Sequence, residues 1–362
     1  MTANLWTEAL NPMKQLFVRL FLLTLTFAVL TGAATAQTAP VTSATQSIPP
    51  AYSLNGVTHI WQQWNNCGPA TMTMGLTYFG GTTDQTPAAN WMKPNGEDKN
   101  VSPWQMVAYV NDVLDGNVRA LMRYGGTLDR IKLLLSNNFP VIIEAGYEPD
   151  NLGWMGHYLL ITGYDDAAQR ITTQDSYHGP NYPYTYQETD YYWRHFNRLY
   201  IVLYDVRREA ELLALLGTDA DERQNVINAL ETARQEAIAT PTDPFAWFNM
   251  GTNFVELGMY AEAATAYDQA RNLGLPWRMM WYQFGPFEAY YHEGRHSDVI
   301  ALAQANLNDG GGQYVEETFY YAALSRAAMG ERDRALNNLA GAISFNPNFT
   351  PAIIAREELL GS

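Results

Sequence analysis

One cysteine, Cys67, stands alone in this chain of 362 residues. It follows Gln62-Gln63-Trp64-Asn65-Asn66 and precedes Gly68-Pro69-Ala70. A Gly156-His157 step lies ninety residues downstream, and Asp175 eighteen residues beyond that. An unpaired thiol cannot close an internal disulfide. Its economical use is chemistry, as a nucleophile with a histidine base. The thiolate attacks, and a free thiol ionises only near about pH 8.5, so the site has to lower that value. A helix N-terminus does this. The run through Ala70, Met72, Met74, Leu76 and Tyr78 predicts a helix opening at Gly68-Pro69, with proline tolerated in its first turn.

The other two groups must arrive on strands. Residues 141–145, 157–162, 170–174 and 199–204 are β-branched or aromatic runs bounded by Gly, Pro and Asp turns. His157 opens the second of them. A turn at Tyr164-Asp165-Asp166-Ala167-Ala168 sends the third back alongside it, which returns Asp175 to the level of His157. Asp165 and Asp166, at the far tip, read as turn residues. Helical patterns cover about 67–79, 103–115 and 127–136. The last has Thr127 as N-cap, Leu128, Ile131, Leu134 and Leu135 on one face, and a stop before Pro140. Helices first and strands after predict an α+β arrangement rather than a doubly wound sheet.

After about residue 206 the pattern turns helical and repeats. Gly258, Gly294 and Gly330 are 36 residues apart, each followed five residues later by Ala263, Val299 or Ala335. Trp247, Gly251, Phe254, Gly258, Ala263, Tyr267, Ala270 and Pro276 in the first copy, and Phe319, Ala323, Gly330, Ala335, Ala342 and Pro347 in the third, fall on a common spacing. This resembles tetratricopeptide repeats, whose small residues let paired helices approach while aromatics fill the space between pairs. The middle copy keeps Trp281 and Gly285 but has Asn306 where a small residue is expected.

The box Gln-x-Trp-Asn-Asn-Cys-Gly-Pro-Ala, with Gly-His on a strand and Asp beyond it, resembles the papain-like cysteine peptidases related to the bacteriocin-leader (double-glycine) processing family over about residues 55–205. The resemblance implies Cys67 as nucleophile, His157 as general base and then acid, and Asp175 as the group fixing the imidazole. It implies Gln62 as donor to the oxyanion, with Gln63 as the alternative register. It places Trp64, Asn66 and Gly156 against bound substrate. Asn66 stands where many leader-processing members carry Asp, and no transporter module follows, so leader cleavage is not carried over and general thiol acyl transfer is.

These expectations define an organisation. Residues 1–36 read as an export signal, with Lys14 and Arg19 ahead of the apolar run Leu20 to Leu30 and a cleavage box ending at Ala36. A Thr/Ala/Ser/Pro linker at 37–50 precedes a papain-like domain at 51–206, a helical connector at 207–242 and repeats at 243–362. The net charge of −15 argues against a nucleic-acid partner and predicts a soluble protein after export, secreted or otherwise outside the cytoplasm. No cofactor is called for. His59, His178, His195, His292 and His296 show no metal-ligand spacing, and His178 reads as a loop residue. The aromatic segment Tyr177, Tyr182, Tyr184, Tyr186, Tyr191, Tyr192 and Trp193 suits either a substrate-cleft wall or packing between layers. Two functions from different classes follow: a secreted peptidase with a repeat domain that docks protein or peptide, and an inactive peptidase-like scaffold that binds peptides through its repeats. Cell-wall amide cleavage is a minor third.

Overall fold

The computed structural model describes residues 48–149, 151–308 and 310–361. The expected export signal and all but the last residues of the linker lie outside the described residues. Seven strands form one sheet: β1 (Ala51–Ser53), β2 (Val118–Arg123), β3 (Val141–Tyr147), β4 (Met155–Asp165), β5 (Arg170–Asp175), β6 (Gly179–Thr185) and β7 (Tyr200–Asp205). The order is β2-β7-β3-β4-β5-β6, with β1 pairing to the end of β4, and every pairing is antiparallel.

Period-two alternation divides the strand side chains between two cores. On one face Ile142, Leu160, Ile201 and Leu203 pack with Met72 and Met74 of α1 (Cys67–Thr77). Helices α2 (Thr86–Met92) and α3 (Pro103–Ala108) complete that layer, and α3 runs on as a single π-helical turn, Tyr109–Val113. On the other face Ile143, Leu159, Ile161 and Val202 pack with Ile131, Leu134 and Leu135 of α4 (Leu128–Ser136). Thr127 caps α4 as expected, its hydroxyl accepting from the Arg130 N–H at 3.1 Å. With both faces covered, the central strands read as unbroken apolar runs.

Of the elements that went unpredicted, β1, α2, β2, β6 and a helix at Tyr186–Trp193, the last three have clear physical reasons. β6 carries Pro180 and Pro183, which argue against a strand except at a sheet edge, and β6 is the edge. Arg119 and Arg123 obscure the alternation of β2. Residues 186–193, expected only as an aromatic segment, form α5 (Tyr186–Trp193), opened by a capping box between Thr185 and Glu188.

The remaining chain is helical: α6 (Glu209–Leu216), α7 (Glu222–Ala239), then the pairs α8 (Pro244–Glu256) with α9 (Tyr260–Leu273), α10 (Gly285–His292) with α11 (His296–Asn308), and α12 (Glu316–Ala328) with α13 (Arg332–Phe345), closed by α14 (Thr350–Gly361). Gly258, Gly294 and Gly330 mark the turn inside each pair, with φ of 74°, 70° and 80°. Only glycine adopts these values at no steric cost, which explains the 36-residue repeat. Asn306, the residue that broke the pattern, is buried and donates to the Met280 carbonyl at 2.8 Å and to Thr318 Oγ1 at 3.0 Å.

The helical array and the sheet layers pack into one unit. Part of their contact is polar and dry. Glu317 accepts from Ser102 Oγ at 2.6 Å, and Glu316 accepts from Gln105 Nε2 at 3.1 Å and from Asn346 Nδ2 at 2.7 Å. Asp98 lies beside both glutamates, and burial followed by their negative charge holds its carboxyl well above the usual range. No helix among the described residues is long and apolar enough to cross a membrane.

Candidate functional site

Cys67 is the first residue of α1, so its sulfur sits at the positive end of the helix, as the sequence predicted. Its side chain is half-buried. His157 lies near the start of β4, and the β4–β5 hairpin returns Asp175 beside it. His157 Nε2 donates to Asp175 Oδ1 at 2.9 Å, which leaves Nδ1 for the thiol, and thiol and imidazole are hydrogen-bonding partners. Three residues from three separated stretches thus meet in one chain of contacts.

Asp175 is fully buried and closely held. Oδ1 also accepts from the backbone N–H groups of Tyr177 at 2.8 Å and His178 at 3.1 Å, and Oδ2 accepts from Tyr184 Oη at 2.6 Å. Burial alone would raise its pKa, but the His157 charge and these donors hold it well below the usual carboxylate range. Burial would likewise lower His157, yet the Asp175 charge and hydrogen bond, with Cys67 behind them, raise it to about 10. Burial pushes the Cys67 thiol up. The imidazole and the backbone N–H groups of Tyr158 and Gly68 outweigh that and bring it below its ordinary value. The arrangement favours the thiolate–imidazolium pair over the neutral one.

Gln62 sits beside this group. Its Oε1 accepts from Ser176 Oγ at 3.0 Å and its backbone N–H donates to the Ser176 carbonyl at 3.0 Å. Anchoring Oε1 on the residue after Asp175 leaves Nε2 as the donor end of the amide. Gln63 is exposed, and only its backbone is engaged, donating to Gln85 Oε1 at 3.0 Å. Placement therefore favours Gln62 over Gln63. Trp64 is exposed on the rim, with Lys99 Nζ 4.7 Å from its ring centroid.

Two expected substrate contacts lie elsewhere. Asn66 is buried, its Nδ2 donating to Gln85 Oε1 at 3.2 Å and its Oδ1 accepting from Lys93 Nζ at 3.3 Å, so it braces the loop from within. Asn65, at φ 56°, turns the chain and directs its neighbour inward. Gly156 is also covered. A Cβ there would stand 2.8 Å from Tyr282 Cδ1 and 2.9 Å from Phe196 Cζ, so the glycine admits two rings rather than a substrate.

Other residues at the site carried no pattern to find them. Gln85 ties the cysteine loop together through Trp61, Gln63 and Asn66. Tyr147 stacks on His157 with centroids 4.9 Å apart. His178, expected as a plain loop residue, stacks on Tyr182 at 4.5 Å and supplies one N–H to Asp175. The aromatic segment divides: Tyr186 and Trp193 are core, whereas Tyr184 and Tyr192 join Tyr147 and His178 around a cavity of about 140 Å³ adjoining His157. Among the described residues no His, Cys, Asp and Glu cluster is arranged to hold a metal.

Residues 54–201 match the model of the Peptidase_C39 like family. No curated protein matches the chain. Among solved structures it is similar to a putative C39-like peptidase from Bacillus anthracis, at 16% identity and TM-score 0.31 over 43% of this chain and 98% of that one. It is also similar to the MamA RS-1 ArsTM double mutant, at 14% identity and TM-score 0.34 over 42% of this chain and 83% of that one. A third is YrrB, described as a TPR protein with an unusual peptide-binding site, at 17% identity and TM-score 0.21 over 41% and 90%. The chain carries a Peptidase_C39-like domain at residues 54–201 built on an antiparallel sheet, followed by an array of paired helices.

Proposed function

We propose that the protein is an exported thiol peptidase that hydrolyses peptide bonds through Cys67, His157 and Asp175, with the helical repeats docking a protein or peptide. The observation that carries this is the continuous contact from thiol to imidazole to a buried, ionised carboxylate. In the reaction the Cys67 thiolate attacks the scissile carbonyl. Gln62 Nε2 and the Cys67 backbone N–H receive the oxyanion, and the His157 imidazolium protonates the departing amine. Neutral His157 then takes a proton from water, which cleaves the thioester and frees Cys67. Asp175 keeps the ring in the tautomer that presents Nδ1 to sulfur and favours its charged form. Export rests on the composition of residues 1–36.

The test is to incubate a proteome-derived peptide library with the wild type and with Cys67→Ala, and read new termini by mass spectrometry. The proposal expects cleavage by the wild type alone. Cleavage by both chains, or by neither, contradicts it.

A further inference from the structure

The helical array does more at this site than stand beside it. Eleven residues separate α9 from α10, against four between α13 and α14. The longer link folds into a 3₁₀ turn at Trp277–Trp281 and carries Tyr282 onto the strand that bears His157. Several contacts hold it there. Tyr282 packs edge-on to Trp154 with centroids 5.9 Å apart and to Phe196 at 6.3 Å. Arg278 donates to the carbonyl of Leu152, and Gln283 Nε2 donates to that of His195 at 2.9 Å.

Only 5% of Tyr282 is exposed, and its hydroxyl has no hydrogen-bond partner. A buried phenol usually finds one, because an unpaired polar group in the interior keeps its full desolvation penalty. Its surroundings are those of the reaction: the Gly156 N–H, next to His157, lies beside it, and the Cys67 charge reaches it. Burial, with that charge behind it, keeps the phenol protonated, so it is a donor awaiting an acceptor.

We infer that Tyr282, supplied by the helical array, donates a hydrogen bond to a backbone carbonyl of the peptide bound at Cys67, so that the two layers build one cleft. The inference rests on the peptidase reading above. It makes the repeats part of the substrate site and ties the substrate class to extended peptides, whose carbonyls supply the missing acceptor.

Tyr282→Phe removes the hydroxyl and keeps the ring on Gly156, so folding is preserved. On the peptide that the wild type cuts fastest from a proteome-derived library, kcat/KM should fall about tenfold to a hundredfold. Alkylation of Cys67 by iodoacetamide should keep its wild-type pH profile. Unchanged kcat/KM overturns the assignment while leaving the Cys67 chemistry standing. A shifted alkylation profile also overturns it, since the hydroxyl would then act through the thiol. A wild type that cuts nothing removes the peptidase reading itself, and this inference with it.

Discussion

Asp175→Asn isolates the electrostatic half of the site. The amide keeps the carboxylate's shape: Oδ1 can still accept from the N–H groups of Tyr177 and His178, while Nδ2 replaces Oδ2 beside Tyr184 Oη, which can turn to accept. What is lost is charge. Raising His157 from its ordinary 6.5 to about 10 corresponds to roughly 5 kcal/mol in favour of the imidazolium. Burial opposes this, and the Asp175 charge and hydrogen bond lead the contributions that raise it, ahead of Cys67. Assigning the larger part to Asp175 predicts that the variant brings the imidazolium pKa down by about 2 or more, to about 8 or below. At pH 9 the ring is then about nine-tenths protonated in the wild type and about one-tenth in the variant. The assay is an NMR titration of ¹⁵N-labelled imidazoles, with His157 identified among the six histidines by its absence in His157→Gln. A wild-type ring that titrates near its ordinary value, or an Asp175→Asn ring that still titrates near 10, refutes the reasoning.

Two further perturbations test the layer contact. Gly156→Ala places a methyl group within 2.9 Å of two buried rings and should destabilise the fold by about 1–3 kcal/mol in urea unfolding, with a smaller loss in a Tyr282→Leu background. Equal losses in both backgrounds would remove Tyr282 as the cause. Glu317→Gln addresses the dry carboxyl cluster. Burial, then the neighbouring Glu316 charge, raises the Glu317 pKa well above the usual range, so the folded state keeps a proton that the unfolded chain releases. The stability from that proton is complete below about pH 4 and is lost as pH rises toward the folded value. The variant should therefore gain on the order of 1–2 kcal/mol at pH 8, with little change at pH 4, in calorimetry at the two pH values. A loss at pH 8 would show that Glu317 is held as a useful anion.

The parts of the site that the sequence made legible are those with local causes. Gly68-Pro69 after Cys67 is a helix start whatever surrounds it, and the turn at Tyr164-Asp165-Asp166 can only return β5 along β4, so a thiol at a helix N-terminus and Asp175 beside His157 followed from short-range rules. Likewise the spaced glycines exposed the helical pairs, because a left-handed turn leaves a mark in the residue type itself. Long-range contacts leave no such mark. Asn66 looks like a polar loop residue until Gln85 and Lys93 arrive from the residues flanking α2, and Gly156 looks like room for substrate until Tyr282 fills it from residues far along the chain. Tyr184 and His178 sat in a segment whose prolines hid an edge strand, so their roles at Asp175 were out of view.

The account stands or falls on whether Cys67 is a thiolate at neutral pH because His157 makes it one. As the chain's lone cysteine, it can be followed by intact mass alone. The measurement is the rate of its alkylation by iodoacetamide against pH, in the wild type and in His157→Ala. The account predicts a wild-type rate that is already near its plateau well below about pH 8, and an inflection displaced to about 8.5 or higher in the variant. A folded wild-type chain whose thiol inflects at the ordinary value, or fails to react at any pH, contradicts it.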